Sequence, residues 1–146
     1  MNTADPYLQA FSGGFSGILR WSDLDALWAQ LRLQPEGWYL YAVGEAPPTL
    51  PLTGAQCLAF IEHINLLLRE EHEADYCGIV YVDDRSQPGF IKIYDPNNLG
   101  VSCGISTARI LPGWILSHLP PIDLPAALLP PAGRRRWWQR FWHKTA

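Results

Sequence analysis

The residues with the clearest chemical potential lie in the stretch GVSCG, Gly100 to Gly104. Hydrolases use the pattern Gly-x-Ser-x-Gly to expose a serine hydroxyl on a sharp turn between a strand and a helix. Asp123 and His143 follow Ser102 in the chain order of a Ser, Asp, His triad. The adjacent Cys103 is a second candidate nucleophile, because backbone N–H groups around a turn stabilise a thiolate.

The surrounding sequence disfavours catalysis in this stretch. The preceding predicted strand ends near Tyr94, and residues 105–113, ISTARILPG, do not begin a convincing helix. Asp123 lies in a proline-rich stretch and His143 in a basic, aromatic one, and neither setting predicts a rigid triad. We therefore predict no catalytic residue. A small serine or cysteine hydrolase that uses Ser102 or Cys103 is kept as the alternative.

Metal-ligating residues do not have the spacing of a metal site. His72, Asp75 and Cys77 form one loose cluster, whereas a structural zinc site needs paired ligands at short spacing, twice. Residues 95–100, DPNNLG, imitate the first half of a calcium loop, but Ser106 stands at the position of its obligatory glutamate. Neither GxGxxG nor GxxxxGK followed by Ser or Thr occurs. We predict no metal and no cofactor.

Charge is unevenly distributed along the 146 residues. The formal net charge is −3, yet residues 134–146 hold five Lys and Arg and no acid. The rest of the chain therefore has six basic residues against fourteen acidic ones, a net charge of −8. The three cysteines form no CxxC pair, and the first residues lack the basic region of a secretory signal. These features predict reduced thiols and a cytoplasmic location.

The stretch RRRWWQRFWHK, residues 134–144, combines the basic charges with four large aromatic rings. On a helical wheel the rings share an arc of about 140° and most of the cations take the other side. Such a short segment is unstable as an isolated helix, so we predict that it folds on a partner. The predicted binding residues are Arg134, Arg135, Arg136, Trp137, Trp138, Arg140, Phe141 and Trp142.

Three kinds of partner fit this segment. An acidic protein surface accepts Trp and Arg as anchors, and an anionic membrane attracts the same residues. A nucleic acid is disfavoured because the acidic remainder of the chain repels phosphates. We predict a non-enzymatic accessory or adaptor protein that binds an acidic or amphipathic protein partner, or a second copy of itself. Peripheral association with an anionic membrane is a further alternative.

Local patterns predict an α+β domain over residues 1–118. A short strand is predicted around Gly17 to Trp21, followed by a helix capped by Ser22 with Asp25 at the capping-box position. A strand in GWYLYAVG precedes a second helix, which begins with the capping box of Thr53 and Gln56 and ends near His72. Its predicted buried stripe consists of Cys57, Ile61, Ile64 and Leu68.

The second half of the predicted domain is a hairpin, a polar loop and one further apolar element. YCGIVYV and GFIKIY are its two strands, and ARILPGWILSHL is the apolar element. The expected fold is a small two-layer sandwich, a mainly antiparallel sheet packed on two helices. Six prolines between Pro112 and Pro131 predict an extended linker over 119–133 before the segment 134–146. The residues predicted for the polar loop are Asp95, Asn97, Asn98, Ser102 and Cys103.

Overall fold

A computed structural model describes residues 5–72, 74–98 and 110–128. These ranges contain four α-helices and five strands, in the order α1 (Pro6–Phe11), β1 (Ser16–Ile18), α2 (Trp21–Leu33), β2 (Tyr39–Ala42), α3 (Gly54–Glu71), β3 (Val80–Val82), β4 (Phe90–Ile93), β5 (Trp114–Ser117) and α4 (Leu124–Ala127). A 3-10 helix at Pro96–Asn98 follows β4.

The five strands form one antiparallel sheet in the order β1-β3-β4-β5-β2. The predicted hairpin is confirmed as β3 and β4, and the apolar element ARILPGWILSHL supplies β5, which lies between β4 and β2. Residues directly opposite each other in antiparallel strands share a face of the sheet. The register therefore aligns one row across one face: Gly17, Tyr81, Lys92, Ile115 and Tyr41.

Helices α2 and α3 cover the other face of the sheet. The buried stripe predicted for α3 is confirmed, and it packs with Trp28 of α2 and with alternate residues of the strands, such as Val80 and Ile91. The indole N–H of Trp28 donates to Asn65 Oδ1 at 3.2 Å and joins the two helices. The predicted α+β architecture, with an antiparallel sheet on two helices, is confirmed.

The capping predictions for the two helices have different outcomes. Thr53 and Gln56 form the predicted reciprocal box at the start of α3. The prediction of Ser22 as the cap of α2 is wrong, because α2 already begins at Trp21 and has no side-chain cap. The indole N–H of Trp21 donates to Ala74 O at 3.3 Å, and this contact holds Trp21 within the first turn.

Two short helices that the sequence patterns did not predict cover part of the second sheet face. Asp5 caps α1 with its carboxylate, and Pro6 stands at the first helical position, where a missing N–H costs nothing. Helices α1 and α4 contribute to a second core cluster, whose buried members are Tyr7, Phe11, Tyr41, Phe90, Ile115 and Leu124. This part of the sheet therefore has helices on both faces.

Residues 119–128 do not have the extended form predicted for a linker. Leu124 is fully buried, and its backbone N–H donates to the Tyr41 hydroxyl at 3.2 Å. Asp123 caps α4 by accepting from Ala126 N. The apolar residues between the prolines explain the difference, because they bury surface against β2 and α1. Residues 129–133 and the segment 134–146 lie outside the described residues, so the predicted boundary between them stays a prediction.

Candidate functional site

The residues predicted to bind or react are mostly outside the described part of the chain. Ser102 and Cys103 lie there, and so do all eight predicted binding residues, from Arg134 to Trp142. The structure does describe Asp123, the predicted acid of the alternative triad. Its carboxylate accepts from the backbone of Ala126 at 3.2 Å and serves as a helix cap. That structural role accounts for Asp123 without a catalytic function.

The beginning of the polar loop is attached to the end of α3. Asp95 Oδ1 accepts from the backbone N–H of Asn97 at 2.9 Å, and the Asn97 amide donates to the Glu71 carboxylate. Gly113 packs against Asp95 so closely that an added Cβ would lie 3.2 Å from the Asp95 Cβ. The two ends of the loop are thus held together beside the C-terminus of α3. The side chain of Asn98 is outside the described residues.

Histidine placement limits the catalytic alternative. His118 follows the end of β5 that pairs with Phe90, whereas the polar loop leaves from the opposite end of the hairpin. His72 follows Glu71 at the end of α3, to which the polar loop is attached. Its Nε2 lies 2.8 Å from the carbonyl oxygen of Cys77. That ring nitrogen already has a backbone partner, so His72 is not poised as a base through Nε2.

The cysteines of the described part are core residues. Cys57 and Cys77 are free and fully buried. Burial raises the pKa of the Cys57 thiol to about 11 and also raises the pKa of Cys77. Both groups are therefore protonated at neutral pH and shielded from reagents. This arrangement confirms the buried position predicted for Cys57 on the stripe of α3, and Cys77 is buried with it.

The described residues contain no cluster of three or more His, Cys, Asp and Glu that could hold a metal ion. The residues of the loose sequence cluster have different environments: Cys77 is buried in the core, Asp75 is exposed, and His72 Nε2 lies beside the backbone carbonyl of Cys77. His72 packs near the Trp21 ring, with 6.2 Å between ring centres.

A groove with a volume of about 530 Å³ opens on the second sheet face, beside the part that α1 and α4 cover. We call it the Lys92 groove, after the charged residue on its floor. This volume is within the range of small-molecule sites, roughly 300 to 1,000 Å³. Its lining residues are Gly13, Phe15, Gly78, Ile79, Tyr81, Lys92, Tyr94 and Ile110.

Two phenyl rings hold the Lys92 ammonium at one side of the groove. Nζ lies 3.9 Å from the centre of the Phe15 ring and 4.1 Å from that of Phe11. The ring faces are negative in their quadrupole and attract the cation. Phe15 is fixed in turn by an edge contact with Phe90, at 5.7 Å between centres. Packed aromatic rings therefore fix the position of the Lys92 ammonium group.

Two tyrosines form the other side of the groove. The rings of Tyr81 and Tyr94 meet edge to face, with centres 5.7 Å apart and planes at 79°. The Tyr81 ring packs over its β1 neighbour Gly17, where an added Cβ would lie 3.2 Å from the ring. Sequence patterns did not identify this site, although a lysine at an alternating position of a predicted strand was a visible signal.

A second, smaller cavity of about 260 Å³ lies between α2 and the end of β5. The exposed His118 ring stacks on Trp38 there, with centres 3.9 Å apart, and its Nδ1 lies 3.0 Å from Gly37 O. The described lining contains no other ionisable side chain. This cavity offers polar contacts and no charge pair.

The surface charge of the described residues is strongly negative. They include five Lys and Arg against thirteen Asp and Glu, a net charge of −8. Arg20, Arg69 and Arg85 are each within 4.0 Å of Asp23 or Asp25. Among the described residues, these three ion pairs involve two of the thirteen acidic side chains, Asp23 and Asp25.

No protein-family model, no curated protein and no solved structure matches this chain. No helix among the described residues is long and apolar enough to cross a membrane.

Proposed function

We propose that this chain is a non-enzymatic accessory or adaptor protein that binds an acidic or amphipathic protein partner through residues 134–146. The observation that supports the proposal is the separation of charge: five cations and no acid in that segment, against −8 in the rest of the chain. A cytoplasmic setting belongs to the same proposal, and the two free, buried cysteines are consistent with it.

Binding by such a segment has a simple physical basis. Trp137, Trp138, Phe141 and Trp142 supply large apolar surfaces that anchor in pockets of a partner. The cations attract an acidic surface over a Debye length, about 8 Å at physiological salt. A segment of this length is too short for a stable isolated helix, so we expect it to fold on contact and to use part of the binding free energy for that ordering. The result is reversible, salt-sensitive association.

The exposed side of α3 supports the proposal, because it is a surface of the kind that residues 134–146 would bind. Leu66 is 58% exposed, and Glu62 and Glu70 lie on the same side of the helix. An apolar residue flanked by carboxylates suits both the rings and the cations of residues 134–146. The partner surface is therefore either another protein's acidic face or the equivalent face of a second copy of this chain.

The catalytic alternative rests on a separate stretch and has a separate test. Ser102 and Cys103 of GVSCG predict selective labelling by a fluorophosphonate or by iodoacetamide at neutral pH. Labelling that disappears in Ser102→Ala or Cys103→Ala would favour the hydrolase over the adaptor. Cys57 and Cys77 do not confuse this assay because both thiols are buried.

Deleting residues 134–146 tests the adaptor proposal. The full chain and the shortened chain are each used as bait in native lysate, and their oligomeric states are measured by light scattering. We expect the shortened chain to lose the captured partner or the dimer. Arg32→Gln, at an exposed cation on α2, is a matched control and leaves binding unchanged. Unchanged partners and an unchanged oligomeric state after the deletion would contradict the proposal.

A sedimentation experiment tests the alternative that the chain associates peripherally with an anionic membrane. Sedimentation of the full chain with vesicles of phosphatidylcholine and phosphatidylserine measures association with an anionic surface. We expect little of the full chain to sediment with these vesicles, because the proposed partner of residues 134–146 is a protein surface. If the chain sediments with the vesicles in a salt-sensitive way and captures no protein partner, the result would contradict the adaptor proposal and favour a peripheral membrane protein.

A further inference from the structure

We propose that residues 134–146 of one chain dock on the exposed side of α3 in a second copy, so that two chains form a reciprocal dimer. The inference rests on the proposed function and names the partner of the same segment. Each copy gives one segment and receives one, so the same contact occurs twice about a twofold axis. The receiving surface consists of Leu58, Glu62, Leu66 and Glu70, which we call the α3 row.

The α3 row follows one line along the helix, because its members are four residues apart and therefore neighbours on the surface. Leu58 is 38% exposed and Leu66 is 58% exposed. Glu62 and Glu70 are exposed as well, and the three ion pairs in the described part of the chain involve neither of them. The row therefore alternates an apolar side chain with a carboxylate that these ion pairs leave unused.

The spacing of the segment matches the spacing of the α3 row. Residues eight apart in a helix are separated by about 12 Å along its axis, as Glu62 and Glu70 are. Arg136 and Lys144 are also eight apart, so a helical segment places them about 12 Å apart on one side. Both carboxylates can then face a cation at the same time. The aromatic rings adjoin the cations on the helical wheel and therefore face the two leucines.

The length of the chain indicates that the α3 row belongs to a second copy. Leu128, the last described residue, packs in the second cluster, whereas α3 covers the other face of the sheet. Packed layers are about 10 Å apart and a helix has a radius of about 5 Å, so the outer side of α3 lies about 25 Å from the layer of α4. The six residue steps from Leu128 to Arg134 span about 20 Å when fully extended. A path around the edge of the sheet is longer than the straight distance.

Charge and area both suit this partner. Residues 1–133 carry a net charge of −8, so two copies repel each other unless the cations of residues 134–146 lie between them. Two segments with four rings each supply on the order of 1,000 Å² of aromatic surface. The smallest specific interfaces bury about 1,200 Å² in total. The reciprocal contact therefore approaches the area of a stable dimer, which one segment alone does not.

Exchanging charge between the row and the segment tests the dimer in full-length chains. The first variant combines Glu62→Lys with Glu70→Lys, and the second combines Arg136→Glu with Lys144→Glu. Light scattering measures the mass of each. We expect the original chain to be a dimer and each variant alone to be a monomer, because its row and its segment repel each other. An equal mixture of the two variants should form a heterodimer, since each row then meets a segment of opposite charge.

Two exposed helical leucines provide the matched control for the apolar part of the contact. Leu66→Gln should weaken the dimer by about tenfold, whereas Leu33→Gln, at a residue of α2 that is 83% exposed, should leave it unchanged. Melting curves establish that each variant is folded. An original chain that stays monomeric up to about 100 μM overturns the inference. Dimers that survive both charge variants, or a mixture that forms no heterodimer, also overturn it.

The same variants separate this inference from the proposed function. The row variant and the chain without residues 134–146 are both used as bait in native lysate. If the deletion abolishes capture of a different protein and the row variant captures it normally, the reciprocal dimer is overturned and the adaptor proposal is supported. If the deletion changes neither capture nor oligomeric state, both proposals are overturned. Loss of the dimer in both chains supports the reciprocal contact.

Discussion

The ammonium nitrogen of Lys92 lies 3.9 Å from the centre of the Phe15 ring. Phe15 precedes the edge strand β1, whereas Lys92 is in the middle of the central strand β4. The contact therefore ties the link between α1 and β1 to the floor of the sheet. It also places a single positive charge in a groove of a domain whose described residues carry −8.

Replacing Phe15 by Leu should destabilise the domain by about 1 to 2 kcal/mol, because it removes the cation–π contact and the edge contact with Phe90. A double-mutant cycle with Lys92→Met isolates the pair. The coupling measured by urea unfolding should be about 0.5 to 1 kcal/mol. A coupling of zero would mean that the cation and the ring do not interact in solution.

Leu124→Ala should cost about 2 to 5 kcal/mol, the range for truncating a buried leucine, since Leu124 is fully buried. Leu50→Ala is the matched control at a side chain that is 75% exposed, and should change stability by no more than about 0.5 kcal/mol. Urea unfolding measures both. Equal, small effects would show that residues 119–128 behave as the extended linker that their prolines predict.

The sequence predicted the elements whose signals are local. The capping box of Thr53 and Gln56, and the stripe of Cys57, Ile61, Ile64 and Leu68, depend on neighbours within two turns. Helix α3 therefore appears in the structure as predicted. The hairpin of β3 and β4 was predictable for the same reason, because its two strands are joined by a short polar loop.

Helix α4 and the Lys92 groove depend on distant residues. Leu124 is buried by Tyr41 and the rest of the second cluster, and Tyr41 is 83 positions away in the chain. The groove requires Lys92 of β4 to contact Phe11 of α1 and Phe15 of the link between α1 and β1. Pairing of strands sets such contacts, and no local period reveals them. The proline count therefore suggested a linker where the structure has a docked helix.

Thr53→Ala should reduce the free energy of unfolding by about 1 kcal/mol, because the backbone N–H of Gln56 loses its acceptor at the start of α3. Thr53→Ser is the control, since a serine hydroxyl can accept the same hydrogen bond. Its stability should stay close to that of the original chain. A serine variant as unstable as the alanine variant would exclude capping as the cause.

Stability should fall as the pH rises above 9.0, the ordinary pKa of a thiol, because burial raises the pKa of Cys57 to about 11. In this window the unfolded chain loses the thiol proton while the folded chain keeps it, so deprotonation favours unfolding. Urea midpoints measured across the window should therefore decrease.

Cys57→Ala is the control for this pH dependence. It should make the decrease shallower without abolishing it, because burial also raises the pKa of Cys77 and of Tyr7. An identical slope in Cys57→Ala would show that the buried thiol makes no contribution.

The measurement that tests the central claim most directly compares two full-length variants of residues 134–146. One replaces the four rings, Trp137, Trp138, Phe141 and Trp142, by Ala, and the other replaces the five cations by Gln. Partner capture is quantified at low and at high salt. The adaptor account predicts that the ring variant loses capture at both salt concentrations, and that the cation variant binds more weakly and loses its salt dependence. Capture of the same partners in the same amounts by both variants would contradict it.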